Sequence, residues 1–280
     1  MMSIKMKKSS VAFSKLKYDP DKNEHRAFLG IIALLFTASV VVTTVWCRAM
    51  SAMEEMPMPG GWGMSMIWMP MSGQSWFEAT ASFLAMWDVM MLAMMIPCLV
   101  PMLLRYRQAV QKTSARRLGW LTALAGFGYF LVWTIIGLVV FPLGVGLNAI
   151  LMQHRGLSLI VPVAVGIVIL AIGLLQFTNW KFHQLTCCRE LPFSGQTVPD
   201  NARPAWKHGL HLGIQCSRCS AGLMFILLVI GMMNLFAMAI ITVAITFERL
   251  APAGKCVTGT IGAIGIGAGV FLIIQAIGIF

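Results

Sequence analysis

The chain has 280 residues, of which 58% are hydrophobic and 11% are charged, and its mean hydropathy is +0.80. A soluble domain is about a quarter charged, so this composition excludes an ordinary soluble protein and indicates a chain that needs lipid as its solvent. The net charge of +11 does not indicate a nucleic-acid partner, because the basic residues cluster in the segments between apolar stretches.

Six stretches of about 20 apolar residues follow one another, and each is long enough to cross a hydrocarbon core of ~30 Å. The sequence therefore predicts an all-α fold, a polytopic transmembrane helix bundle of about six spans. The predicted spans are residues 27–46, 79–104, 119–141, 157–177, 220–247 and 257–280. Residues 1–26 form a basic cytoplasmic tail, and 27–280 form a single membrane domain with an outer Met-rich loop at 47–78 and an inner Cys/His loop at 179–219.

The positive-inside rule sets the predicted orientation. With the N-terminus inside, the cytoplasmic segments hold seventeen basic residues, and the outer segments hold four: Arg48, Arg155, Arg249 and Lys255. An even number of spans then returns the C-terminus to the inside. We expect a multi-pass protein of the bacterial inner membrane, N-in and C-in.

The inner loop gathers side chains that bind soft metals. In the C-x-x-C pair Cys216 and Cys219, two thiolates can face one ion, and thiolate with imidazole suits Zn(II) or Cu(I). Two other interpretations stay open: a redox dithiol, or cysteines that only pack. The predicted ligands are His183, Cys187, Cys188, His208, His211, Cys216 and Cys219.

Methionine is unusually frequent, with 22 residues. Thioethers bind Cu(I) where free thiols would oxidise, so we expect the Met-rich outer loop to attract copper at the outer face of the membrane. The alternative is an interfacial segment, because Trp and Met also suit the lipid boundary. The methionines of this loop are Met50, Met53, Met56, Met58, Met64, Met66, Met69 and Met71.

The second predicted span carries Asp88 near mid-membrane, where a carboxylate is costly and indicates function. We expect Asn234 of the fifth span to be its hydrogen-bond partner. Helical spacing places four sulfur-containing side chains in a strip that begins at Asp88 and ends near the cytoplasmic face. They are Met91, Met94, Met95 and Cys98. Our hypothesis is a relay that passes Cu(I) from thioethers to the inner thiolates.

Two blocks of this sequence resemble a known family. They are residues 86–97, which begin Met86-Trp87-Asp88, and residues 209–250, which contain Cys216-Ser-Arg-Cys219, Gly231-Met-Met-Asn234 and Glu248-Arg249. They are similar to an uncharacterised bacterial family of predicted metal-binding integral membrane proteins. The resemblance spans about 79–250 and implies a multi-helix membrane protein with a Cys/His-based metal site, without an established activity. The chain departs from the family where Ala221 replaces a frequent Trp, and where Cys187 and Cys188 are adjacent.

The leading functional prediction is a membrane protein that handles a soft transition metal, copper before zinc, in transport, delivery or metal-site assembly. The alternatives are a membrane thiol oxidoreductase that uses Cys216 and Cys219 and an accessory subunit of a larger membrane complex. Lipid, a metallochaperone and membrane-complex subunits are the expected partners, and nucleic acid is not. The sequence has no catalytic triad, P-loop or dinucleotide fingerprint, and a disulfide between Cys47 and Cys256 stays open.

Overall fold

The computed structural model of the protein describes residues 22–51, 56–58, 62–64, 68, 73–110, 114–189, 201–251 and 254–278. Within these residues the chain is almost entirely helical, which confirms the predicted all-α class. The exception is a small antiparallel hairpin of β1 (Met56–Met58) and β2 (Trp62–Met64). The helices are α1 (Lys22–Ser51), α2 (Trp76–Ala109), α3 (Ala115–Gln153), α4 (Arg155–Leu175), α5 (Asn179–Arg189), α6 (Ala202–Ile230), α7 (Leu235–Leu250) and α8 (Gly254–Gly278).

Six of the described helices are long and apolar enough to cross a membrane, by length and composition alone: α1, α2, α3, α4, α6 and α8. Five of the predicted spans coincide with one helix each. The fifth predicted span, 220–247, is wrong as a single helix, because the chain there forms the end of α6, a turn and α7.

The break lies at residues 231–234. Gly231 ends α6 with a φ of 118°, a backbone conformation that favours glycine. Asn234 then begins α7, because its side-chain Oδ1 accepts a hydrogen bond of 3.0 Å from the backbone N–H of Ala237. Hydropathy could not reveal the break, since the turn itself contains the apolar Met232 and Met233.

Helices α2 and α3 run in opposite directions. The indole N–H of Trp87 donates to the carbonyl O of Trp133 at 2.9 Å, and Phe83, one turn earlier in α2, packs on Phe141, two turns later in α3. Helix α1 is likewise antiparallel to α2, since the guanidinium of Arg107 at the end of α2 lies 4.5 Å from the ring of the early α1 residue Phe28.

Helix α6 lies parallel to α3 and very close to it. A Cβ atom on Gly209 would collide with the backbone of Ala125, and one on Gly213 would lie 2.9 Å from the carbonyl O of Tyr129. Small residues four apart allow helices to approach in this way. Cys216 follows Gly213 on the same face of α6, and close packing therefore presses its thiol against Tyr129, whose hydroxyl lies 3.0 Å away.

Helix α8 packs antiparallel to α4 through glycines in both helices. A Cβ on Gly173 would lie 3.0 Å from the carbonyl O of Gly262, and one on Gly166 would lie 3.1 Å from that of Gly269. Gly262, Gly265 and Gly269 of the last predicted span thus pack against a neighbouring helix.

Helix α7 returns along the bundle in the opposite direction to α6. Its end is fixed by Arg249, which donates to Cys216 in the middle of α6, and by Glu248, which accepts from Gln176 at the end of α4. The two helices form a hairpin with arms of equal length. One arm runs from Cys216 to the end of α6 and the other from the start of α7 to Arg249, and each is about 21 Å long at 1.5 Å per residue.

Seven described helices, all except the short α5, therefore alternate in direction along the chain. The start of α1 and the end of α8 consequently lie at opposite ends of the bundle. Six of the described helices have the length and composition for a crossing, and the N-in/C-in arrangement stays a prediction. The disulfide between Cys47 and Cys256 that the sequence left open does not form, and the two cysteines lie near the end of α1 and the start of α8.

A candidate metal centre at a buried sulfur cluster

Helix α2 contributes three sulfur atoms to the core of the bundle. Met95, Cys98 and Met102 lie at intervals of three and four residues, so that they share one face of the helix. They are 0%, 0% and 6% exposed. The Sγ atom of Cys98 also lies 3.2 Å from the carbonyl O of Met95, one turn earlier.

Helix α6 contributes the fourth sulfur atom. The Sγ of Cys216 lies 3.9 Å from the Sδ of Met95, and the Cys216 and Cys98 side chains contact each other. Cys216 is 0% exposed. We name Met95, Cys98, Met102 and Cys216 together the sulfur cluster.

Helix α7 places one positive charge against this cluster. The guanidinium of Arg249 donates through Nη1 to Cys216 at 2.9 Å and to Cys98 at 3.5 Å, and through Nη2 to the Sδ of Met102 at 3.5 Å. Arg249 is buried, and among the described residues no carboxylate forms an ion pair with it. Its charge therefore faces sulfur where a buried arginine ordinarily faces an acid.

Helix α3 closes the site with Tyr129. This residue is fully buried, and its hydroxyl donates to the Sγ of Cys216. Cys216 thus receives hydrogen bonds from a phenol and a guanidinium, which is the environment in which a thiolate is stabilised.

A second buried polar group lies beside the cluster. Lys181 of α5 and Glu248 of α7 form an ion pair of 3.0 Å, and the side-chain amide of Gln176 donates to the same carboxylate at 3.0 Å. The ammonium of Lys181 also donates to the carbonyl O of Cys219 at 2.7 Å. Because Glu248 precedes Arg249, this network holds the end of α7 in position.

The donors of the cluster are two thiols and two thioethers, the side chains that favour Cu(I) among biological metals. In the described part of the chain, no three His, Cys, Asp or Glu side chains are grouped so that they could hold a metal ion. A site at the sulfur cluster therefore depends on methionine as well as cysteine.

The predicted strip on α2 is only partly assembled around the cluster. Met95 and Cys98 belong to it, whereas Met91 and Met94 are buried farther along the helix toward its start. Asp88 is half-buried and accepts a hydrogen bond of 3.0 Å from the hydroxyl of Thr134. The expected partner Asn234 is wrong, because it is exposed and caps α7.

The predicted Cys/His loop is helical wherever it is described, in α5 and α6. Cys216 faces the sulfur cluster, whereas Cys219 packs on Leu185 of α5. Cys219 is disulfide-bonded, to a cysteine whose side chain lies outside the described part of the chain. Cys187 and Cys188 lie in α5, where the structure describes their backbone but not their side chains.

The three predicted histidine ligands lie in different surroundings. His208 is buried, and its ring stacks on Tyr106 with centroids 4.9 Å apart. His211 is exposed, with its Nε2 at 2.9 Å from the Nε2 of Gln215, and His183 is exposed on α5. The described contacts do not bring these rings to the sulfur cluster.

Most of the Met-rich outer loop lies outside the described residues, including Met53, Met66, Met69 and Met71. Trp68 is described, and it packs on Phe83 near the start of α2 with ring centroids 5.5 Å apart. This contact holds Trp68 near the end of α2 that carries Asp88.

Sequence reasoning missed Arg249 and Tyr129 as members of the site. The six-span prediction places Arg249 in an outer segment because it does not include the turn at Gly231. The signal available in the sequence was the pair Glu248-Arg249 directly after an apolar stretch, which does not distinguish a buried charge from one in a loop.

A family model with the description "PpoB2: Copper chaperone" matches residues 84–272, more than half of the chain. The matched segment contains the whole sulfur cluster together with Tyr129 and Arg249. No curated protein and no solved structure matches the chain.

Proposed function

Because the chain belongs to the PpoB2 family of copper chaperones, we propose that it is a multi-pass membrane protein that binds copper as Cu(I) at the sulfur cluster and passes it to an acceptor. Copper is the cargo of this protein. The observation that carries the proposal is the grouping of four buried sulfur atoms, from α2 and α6, around the contact of Cys216 with Arg249.

The surface of the bundle supports a membrane location. Large apolar side chains are exposed on helices throughout the chain, with Leu34 on α1, Phe236 on α7 and Phe271 on α8 each at least 65% exposed. Water would penalise such surfaces, whereas lipid accommodates them. Trp76 and Trp120, exposed at the starts of α2 and α3, suit the lipid–water interface.

The charge distribution supports an orientation with the N-terminus inside and the end of α8 outside. With α7 as a further crossing, Lys255 moves to the inner side, which then holds eighteen basic residues, and Arg249 lies buried at the sulfur cluster. Arg48 and Arg155 alone stay on the outer side. This bias is stronger than the one from six spans, and the positive-inside rule favours it. We assign the protein to the bacterial inner membrane.

A path for copper runs down α2. Asp88 offers a carboxylate in the half of α2 nearer the outer side, and Met91, Met94 and Met95 continue toward Cys98. Weak thioether sites followed by thiolates allow Cu(I) to move toward the stronger ligands. Replacing Met91, Met94 and Met95 by Leu is expected to lower copper accumulation or transfer while the protein stays folded, and unchanged copper handling would reject the path.

The cysteines and histidines at the inner end form a second group on this proposed route. His183 and His211 are exposed, so that they are accessible to a metallochaperone or to the subunits of a membrane complex. Together with His208, Cys187, Cys188 and Cys219, they are the proposed exit ligands for copper, and the disulfide at Cys219 must first be reduced before its sulfur can bind the ion. Zinc has no support from the family match.

The central test measures Cu(I) bound per protein in lipid nanodiscs, in competition with a chromophoric Cu(I) chelator under reducing conditions. Cys98→Ser with Cys216→Ser is expected to lose one tightly bound Cu(I) per chain. The matched control is Cys256→Ser, which removes a free, exposed thiol away from the cluster. Equal stoichiometry and affinity in the double variant and the wild type reject the sulfur cluster as the copper site.

A second candidate function is a membrane thiol oxidoreductase. The disulfide at Cys219, beside the free thiol of Cys216, is the observation that favours it. A catalytic Cys216–Cys219 disulfide would have to form from this state by thiol–disulfide exchange. Mass spectrometry of thiols trapped at defined redox potentials tests this function, and a Cys216 that stays reduced throughout excludes it.

A further inference from the structure

The charge around the sulfur cluster is unusual for a metal site, because a fixed cation already lies inside it. The Nη1 atom of Arg249 contacts both Cys216 and Cys98, and its Nη2 contacts Met102. The remaining guanidinium nitrogen, Nε, is buried and has no hydrogen-bond partner among the described residues. The described contacts therefore direct the positive charge of Arg249 to the sulfur atoms alone.

The other charged groups nearby do not change the net charge at the sulfur cluster. Glu248 is adjacent to Arg249, but it forms an ion pair with Lys181, so that the two together contribute no net charge. Asp88 lies about 15 Å from Cys98 along α2 at 1.5 Å per residue, and it is bound to Thr134. The net charge at the sulfur cluster therefore depends on Arg249, Cys98 and Cys216.

Metal binding adds the ion and removes the thiol protons, because the ligands are thiolates. Two thiolates and one guanidinium give a net charge of −1. A monovalent ion brings this sum to zero, whereas a divalent ion leaves one positive charge. In a site that is closed to water, an uncompensated charge is costly.

We infer that Arg249 makes the sulfur cluster selective for one monovalent soft cation, Cu(I) or its analogue Ag(I), and excludes divalent soft cations. The inference rests on the proposed function and names the class of ion that the site accepts. Arg249 acts here as a specificity-determining residue and not as a ligand, since a guanidinium cannot donate electrons to a metal. Without Arg249 the two thiolates would match the charge of a divalent ion.

The test compares Ag(I) with Cd(II), two soft ions that bind thiolates and differ in charge. Affinities are measured by competition in lipid nanodiscs for the wild type and for Arg249→Gln, Arg249→Met and Arg249→Lys. The two neutral variants are expected to shift the ratio of Cd(II) to Ag(I) affinity by at least about a hundredfold toward Cd(II), on the scale of tenfold per 1.4 kcal/mol.

Arg249→Lys keeps the charge and is expected to keep the wild-type preference. Arg218→Gln, which removes an exposed arginine of α6, is the matched control and is expected to change nothing.

A compensating pair of changes separates charge from a merely structural role. Cys98→Ser removes one thiolate, so that a bound monovalent ion leaves one positive charge and Ag(I) affinity falls. Adding Arg249→Gln to Cys98→Ser restores a sum of zero and is expected to recover at least tenfold in Ag(I) affinity. A structural role for Arg249 predicts a further loss in that double variant.

An unchanged Cd(II)-to-Ag(I) ratio in Arg249→Gln and Arg249→Met overturns the inference, as does a further loss in the double variant. Both results leave the proposed function intact, provided that binding still requires Cys98 and Cys216. A wild-type protein that binds neither Cu(I) nor Ag(I) instead removes the proposed function itself.

Discussion

Arg249 and Cys216 are 33 residues apart in the chain, and the guanidinium Nη1 of the first lies 2.9 Å from the Sγ of the second. The contact exists because α6 and α7 form a hairpin with arms of equal length about the turn at Gly231. The same hairpin adds a reversal of direction to the helix bundle, so that the local chemistry of the site and the order of helix directions depend on one turn.

The topology predicts which helix ends face the outside. In a Cys256→Ser background, Gly278→Cys at the end of α8 and Gln153→Cys at the end of α3 are expected to react with a membrane-impermeant thiol reagent in intact cells. Arg203→Cys, at the start of α6, is expected to react only after permeabilisation. A Gly278→Cys that needs permeabilisation while Gln153→Cys does not would contradict the seven alternating helices.

The ion pair of Lys181 and Glu248 predicts a coupled effect on stability. Its side chains are 7% and 2% exposed, and removing one partner leaves the other charge buried. Lys181→Met and Glu248→Gln are each expected to lower the free energy of unfolding by about 3–5 kcal/mol. The double variant is expected to lose clearly less than the sum, as measured by unfolding in mixed micelles. Additive losses would mean that the two charges do not interact.

The close approach of α6 to α3 predicts that Gly209 tolerates no side chain. In Gly209→Ala the new methyl group meets the backbone of Ala125, which cannot move aside as a side chain can. A loss of about 1–3 kcal/mol in the free energy of unfolding is expected from this overpacking. Gly126→Ala is the matched control on α3, since a Cβ there meets nothing within 4 Å, and its stability should be close to that of the wild type.

The thioethers at the sulfur cluster predict that replacing a cluster methionine lowers Cu(I) affinity, whereas replacing a buried methionine elsewhere does not. Met95→Leu keeps the volume and removes the sulfur atom that lies 3.9 Å from Cys216. Its Cu(I) affinity is expected to fall about tenfold, equivalent to about 1.4 kcal/mol. Met238→Leu, buried in α7 about 16 Å along the helix from Arg249, should bind as the wild type does. Equal affinities for all three proteins would show that copper needs the thiols alone.

The grouping of the proposed ligands on α2 could be predicted from the sequence because they are neighbours on one helix. Met95 and Cys98 lie three residues apart, and helical periodicity alone brings such residues to one face. The expected partner of Asp88 could not be predicted in the same way. The choice between Thr134 on α3 and Asn234 in the turn depends on which helices pack together, and hydropathy does not contain that information.

The sequence alone determined the helical class, the six long apolar stretches and the soft character of the sulfur side chains, because these follow from composition and local spacing. Only the tertiary structure decided that Cys216 turns toward α2 while Cys219 turns toward α5, and that Arg249 lies among sulfur atoms. The physical reason is that a buried charge and a thiol meet through helix packing, and the packing here depends on glycine contacts and on one turn whose residues are as apolar as the helices beside it.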